Sequence, residues 1–146
     1  MAANTSPIYT LLADIQWGSA DGNGGAAGPL KTANTAKDGT GTVLTVFTAD
    51  ATNGGYVQKI RFRAAGTNAA TVGRVFINNG SANSTLANNI LYDEITLSAT
   101  TLSEVNTIQN YEVSLGFALP AGYKLNITLG TTVAAGYFAS VIGGKY

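Results

Sequence analysis

The chain has 146 residues, no His, no Cys, and equal numbers of basic and acidic residues, 8 of each. Charged residues make up 11% of it, less than half the usual share of about 25%. Acid–base chemistry near neutral pH draws on groups this composition almost lacks, and without Cys there are no disulfides or thiolate metal sites. A structural or binding protein is expected, not an enzyme, with no cofactor.

The 45% hydrophobic content is enough for a core in a chain of single-domain size. Few charges and a formal net charge of zero leave little protection against association, so a place in an assembly is expected. No run of about 18 apolar residues exists to span a membrane. Met1–Pro7 has no basic region and leads into no long apolar one, so no signal peptide is expected and synthesis in the cytoplasm fits.

In chain order, residues 1–30 come first as an N-terminal arm, or a first strand plus a linker. An apolar cluster of Ile8, Tyr9, Leu11, Leu12, Ile15 and Trp17 leads into a stretch poor in large side chains, from Gly18 to Thr42. The cluster reads either as the first strand of a sandwich or as an anchor for a partner, carried on a flexible tether. Asp21-Gly-Asn-Gly24 resembles only the start of a calcium loop and lacks the later ligands. Asp38-Gly-Thr-Gly41 contains a G-x-G, but a β pattern follows it where a phosphate loop needs a helix, so a turn into a strand is expected.

Residues 31–146 read as one β-sandwich domain. Period-two alternation marks Tyr56–Ala64, Leu91–Leu97, Asn110–Leu119 and Tyr123–Leu129 as strands. Thr42–Thr48, Thr71–Asn78 and Gly136–Ile142 are β-rich but apolar on both faces, as central strands or strands covered by a neighbouring subunit would be. In Tyr56–Ala64, one face carries Tyr56, Gln58, Ile60, Phe62 and Ala64 and the other Val57, Lys59, Arg61 and Arg63. Asn53-Gly-Gly55, Asn78-Asn-Gly80 and Pro120-Ala-Gly122 punctuate these runs and suggest tight antiparallel hairpins. A short helix has room only at Ser6–Gln16 or Thr101–Asn110. About eight strands with this punctuation predict an all-β antiparallel sandwich or jelly roll.

Lys59, Arg61 and Arg63 form the basic stripe, with Arg74 close by in sequence. A protein interface or a solvated face fits these cations better than nucleic acid, because no basic excess exists elsewhere. Asp93 falls on the apolar side of its strand and would need a cationic partner there, with Arg74, Arg61 and Arg63 as candidates. Asp93, Glu94 and Glu112 make a poor glycosidase pair, since adjacent strand residues face opposite ways. N-x-[ST] sequons at Asn4, Asn83 and Asn126 carry little meaning in a chain this rich in Asn and Thr.

The stretches Thr32–Val43, Gln58–Asn68, Arg74–Gly80, Leu119–Leu125 and the closing Gly143-Gly-Lys-Tyr146 resemble small tailed-phage head proteins of the decoration, or cement, type. The resemblance covers roughly residues 31–146 and contains no catalytic motif. It implies a β-sandwich on the outer surface of the virion's capsid, bound to the major capsid protein, often as a homotrimer. The alternative is a carbohydrate- or receptor-binding module of a phage tail or fibre, which would use exposed aromatics among Tyr9, Trp17, Tyr56, Tyr92, Tyr111, Tyr123, Tyr137 and Tyr146.

Overall fold

Alternating apolar and polar residues bury one face of a strand and wet the other, and in the computed structural model they build eight strands among the described residues. The structure describes residues 12–17 and 28–146. The strands are β1 (Leu12–Trp17), β2 (Leu44–Thr48), β3 (Gly55–Ala64), β4 (Thr71–Asn78), β5 (Asn89–Leu97), β6 (Asn110–Leu119), β7 (Lys124–Leu129) and β8 (Tyr137–Lys145). They form two antiparallel four-stranded sheets, ordered β1-β8-β3-β6 and β2-β7-β4-β5. Among the described residues the only helical element is a 3₁₀ turn, Leu86–Asn88. The Thr101–Asn110 window is not helical: it is a loop until β6 begins at Asn110. Of the Ser6–Gln16 window, the described part from Leu12 onward is strand.

The strand order is that of a jelly roll. Strand β1 pairs with β8, β2 with β7, β3 with β6 and β4 with β5, as in one long hairpin. Rolling that hairpin also lays β8 against β3 and β7 against β4. The short turns are therefore not the tight hairpins the sequence suggested. Asn53-Gly54 and Pro120-Ala-Gly122 carry the chain between sheets, and the one connection joining neighbours within a sheet, β4 to β5, runs through residues 79–88. Gly54 shows why these corners need glycine. Its φ is +83°, and a Cβ there would sit 2.4 Å from the Leu119 carbonyl oxygen.

The core lies between the sheets. Phe47, Ile60, Phe62, Leu125, Ile127, Tyr137 and Val141 are all fully buried there. At about 1.5–3 kcal/mol for each large apolar side chain, this layer is the main stabilising element. Three register shifts modify the simple alternation. One between Thr45 and Phe47 lets both Val46 and Phe47 be buried. Another between Val57 and Lys59 turns Tyr56 outward, while Val57 is buried. The expected sharing of one face by Tyr56, Gln58, Ile60 and Phe62 therefore holds only from Ile60 onward. The third, between Val75 and Phe76 of β4, gives β5 one extra residue.

The N-terminal segment divides differently from the expected boundary at residue 30. Leu12–Trp17 is an edge strand of the sandwich, matching the first-strand reading of the apolar cluster. Gly28–Val43 is no free tether. Leu30 is buried in the core and exchanges backbone hydrogen bonds with Tyr137. Asn34 is 1% exposed; its Nδ2 donates to the carbonyls of Thr40 and Thr42 and closes residues 34–42 into a loop. Ile8, Tyr9, Leu11 and the Asp21 motif lie outside the described residues.

Candidate functional site

The two sheets present different outer faces. Over β2-β7-β4-β5, the loop 34–42 lies flat against the strands, held by turns of its own. The Asp38 carboxylate accepts from the hydroxyl and the backbone N–H of Thr40, and these bonds keep its pKa below the usual value. Gly39 sits so close to Phe76 and Asn89 that a Cβ would approach them to 2.9 and 2.8 Å. Phe76, 1% exposed, is thus covered from outside the sandwich by the chain's own loop, not by a second subunit. Beside it on β7, Asn126 and Thr128 are buried too, at 2% and 0% exposure. The Thr128 hydroxyl and Arg74 Nη1 are buried there without hydrogen-bond partners. A sequon at a buried Asn126 is not a glycan acceptor.

The outer face of β1-β8-β3-β6 has no such cover among the described residues. Its middle carries Lys59, Arg61 and Arg63, as the alternation predicted. The Glu112 carboxylate, on β6, joins two of them. Lys59 Nζ lies 3.0 Å from one oxygen and Arg61 Nη2 2.7 Å from the other. The Arg61 hydrogen bond, then that of Lys59, pulls the Glu112 pKa below its ordinary value. Arg63 Nη1 donates to Asn110 Oδ1 at 2.6 Å. Such exposed pairs are worth about 0–1 kcal/mol each, so the stripe is a surface more than a fastener.

Register brings the described part of the N-terminal cluster, Leu12, Ile15 and Trp17, to the same sheet. Ile15 stands across from Ile142, which stands across from Lys59. Trp17, Ser140, Arg61 and Glu112 form the next row, followed by Phe138, Arg63 and Asn110. Phe138 is 48% exposed. Of the residues singled out from sequence, Leu12, Ile15, Trp17, Lys59, Arg61 and Arg63 thus share one sheet. Arg74 does not join them. It lies on β4 in the other sheet and pairs with Glu94, Nε to Oε1 at 2.6 Å.

The expected ion pair of Asp93 is also absent among the described residues. Register does set it opposite buried Val75, but β5 is the last strand of its sheet and Asp93 is exposed there. Its carboxylate accepts the Glu94 N–H instead. Glu112 belongs to the opposite sheet, and no group of three or more metal-ligating side chains exists among the described residues.

One surface escaped the sequence reading. Along β5 and the turn before it, Leu86, Ile90, Leu91 and Tyr92 are 41–64% exposed. The extra residue in β5 sets Leu91 opposite Phe76, away from the core, and this edge strand has no outer neighbour among the described residues to cover it. Tyr92 meets Phe117 of β6 edge-on, with ring centroids 5.0 Å apart. Of the other aromatics considered for ligand stacking, Tyr111 and Tyr137 are buried, Tyr56 is exposed, and Tyr123 and Tyr146 are half-buried. A polar cleft of about 550 Å³ opens between strands β2, β7 and β4, the strap 41–43 and the hairpin loop 81–83.

Comparison with protein-family models, with curated proteins and with solved structures returned no match.

Proposed function

We propose that the chain is a non-enzymatic decoration protein of a tailed-phage head, bound to the outer surface of the major capsid protein, where it stabilises the shell as a homotrimer. The observation that carries the reading is the asymmetry of the two faces. One sheet is roofed by the chain's own strap, and the other presents Lys59, Arg61, Arg63 and Phe138 on a face that no described residue covers. The exposed apolar edge of β5 is a second surface suited to protein contact. Jelly rolls recur in viral capsids, which supports the reading by analogy of fold. Low charge suits the dry centre of a protein interface, and a chain without Cys and with one Met withstands oxidation outside the cell.

Cryo-electron microscopy of intact particles carrying the chain tests this. Density at three-fold or quasi-three-fold positions on the head is expected. Density confined to tail or fibre would move the chain to the receptor-binding reading, which the Tyr92–Phe117 corner favours. Particles with no density for it would end both.

A further inference from the structure

The cleft over β2, β7 and β4 is of ligand size, within the range of about 300–1,000 Å³ usual for small-molecule sites. Among the described residues its only charged lining residue is Lys124, whose ammonium has no ion pair or hydrogen bond there. No acid lines it. Its floor is Asn126, 2% exposed, with Oδ1 taken by the Thr45 hydroxyl at 2.8 Å. Asn126 Nδ2 donates to no described group and is not among the buried orphan atoms, so it is an accessible amide donor for whatever enters the cleft. Asn83 on the opposite wall is fixed by Nδ2 bonds to the carbonyls of Gly39 and Gly41 and keeps its Oδ1 as an acceptor. The hydroxyls of Thr42 and Ser81 add groups that both donate and accept.

We propose that this cleft binds an acidic saccharide, with its carboxylate at Lys124 and its hydroxyls on Asn126, Asn83, Thr42 and Ser81. One cation among several neutral amides and hydroxyls suits a polyol bearing a single negative charge. It suits a phosphate less well, which draws several cations or a nest of backbone N–H groups. No described aromatic ring lines the cleft to stack a neutral sugar, so charge supplies the anchor. A single site of this kind is weak, in the range of about 1 mM. An array of identical copies multiplies it by avidity. The inference does not rest on the capsid reading and is tested on the isolated full-length chain.

The experiment is an NMR titration of the ¹⁵N-labelled chain with glucuronate, glucose and inorganic sulfate. Glucuronate is expected to shift the amides of residues 41–45, 81–83 and 124–126 saturably. Glucose is expected to bind at least about tenfold more weakly, the loss of one charge-assisted contact. Lys124→Ala should abolish the preference for glucuronate, and Lys124→Arg should retain it, each with unchanged spectra outside the cleft. No shift with glucuronate overturns the proposal, and so does equal affinity for glucose. Equal affinity for sulfate would reduce the cleft to an anion spot and overturn it too. If Lys124→Ala fails to fold, loss of the preference at high salt in the wild-type chain, or its persistence, decides in its place.

Discussion

Single residues decide where this surface is soft. The Thr128 hydroxyl is buried with no partner, and an unsatisfied polar group in a dry site costs about 1–3 kcal/mol. Thr128→Val keeps the shape and removes the hydroxyl, so it should stabilise the chain by about 1 kcal/mol in denaturant unfolding. Asp93 is the opposite case. Its place opposite Val75 would be costly in a closed core, but at the exposed edge solvent and the Glu94 N–H satisfy it. Asp93→Ala should change stability by no more than about 0.5 kcal/mol, measured in the same way. Residue identity alone could not separate these two. An Asp on an apolar face and a Thr on a polar face read, in sequence, as the reverse.

At the scale of elements, the strands were legible and their faces only partly so. Alternation placed β3, β5, β6 and β7 to within a few residues, because one face of each meets a core, and β-rich runs apolar on both faces placed β2, β4 and β8. The bulges were not legible. A one-residue slip exchanges the faces of everything beyond it, and nothing local marks the shift at Gln58 that turns Tyr56 outward. The strap Gly28–Val43 was missed for a related reason. Its Gly and Ala content reads as a tether, while its anchors, Leu30 to Tyr137 and Asn34 to Leu129, span about a hundred residues of sequence.

The corner between β2 and β3 titrates. The Asp50 carboxylate accepts the backbone N–H of Asn53 and of Thr52, and these bonds lower its pKa. A carboxylate depressed in the folded state contributes fully above its unfolded value of about 3.9, and the contribution fades as pH falls through the folded value. Amide exchange at Thr52 and Asn53 should therefore accelerate in acid before that of the core strands. Equal acceleration everywhere would mean that the corner has no separate role.

For the whole molecule, the division into two unlike faces is what the sequence could not show. The basic stripe was legible from β3 alone. Its placement on the uncovered sheet, with β1 in the same sheet and Arg74 excluded, depends on strand order. Because Leu12–Trp17 belongs to the sandwich, the segment to remove in a test of partner binding is residues 1–11. That truncation should fold with its unfolding midpoint little changed and lose most of its affinity for phage heads in co-sedimentation. Full binding by the truncated chain would assign attachment to the open sheet, and reversal of Lys59, Arg61 and Arg63 to Glu should then abolish it.

The rolled hairpin also sets an order of events during synthesis. The β4–β5 turn is the one place where neighbours in a sheet are close in sequence, and each further pair, β3 with β6, β2 with β7, β1 with β8, closes a longer span. Pairings of such long range form slowly. The edge strand β1 waits for a partner that the ribosome makes more than a hundred residues later. Until Tyr137–Lys145 has emerged, the sheet with the basic stripe lacks its second strand. A nascent copy, or one cut short before β8, therefore has no finished face on that sheet.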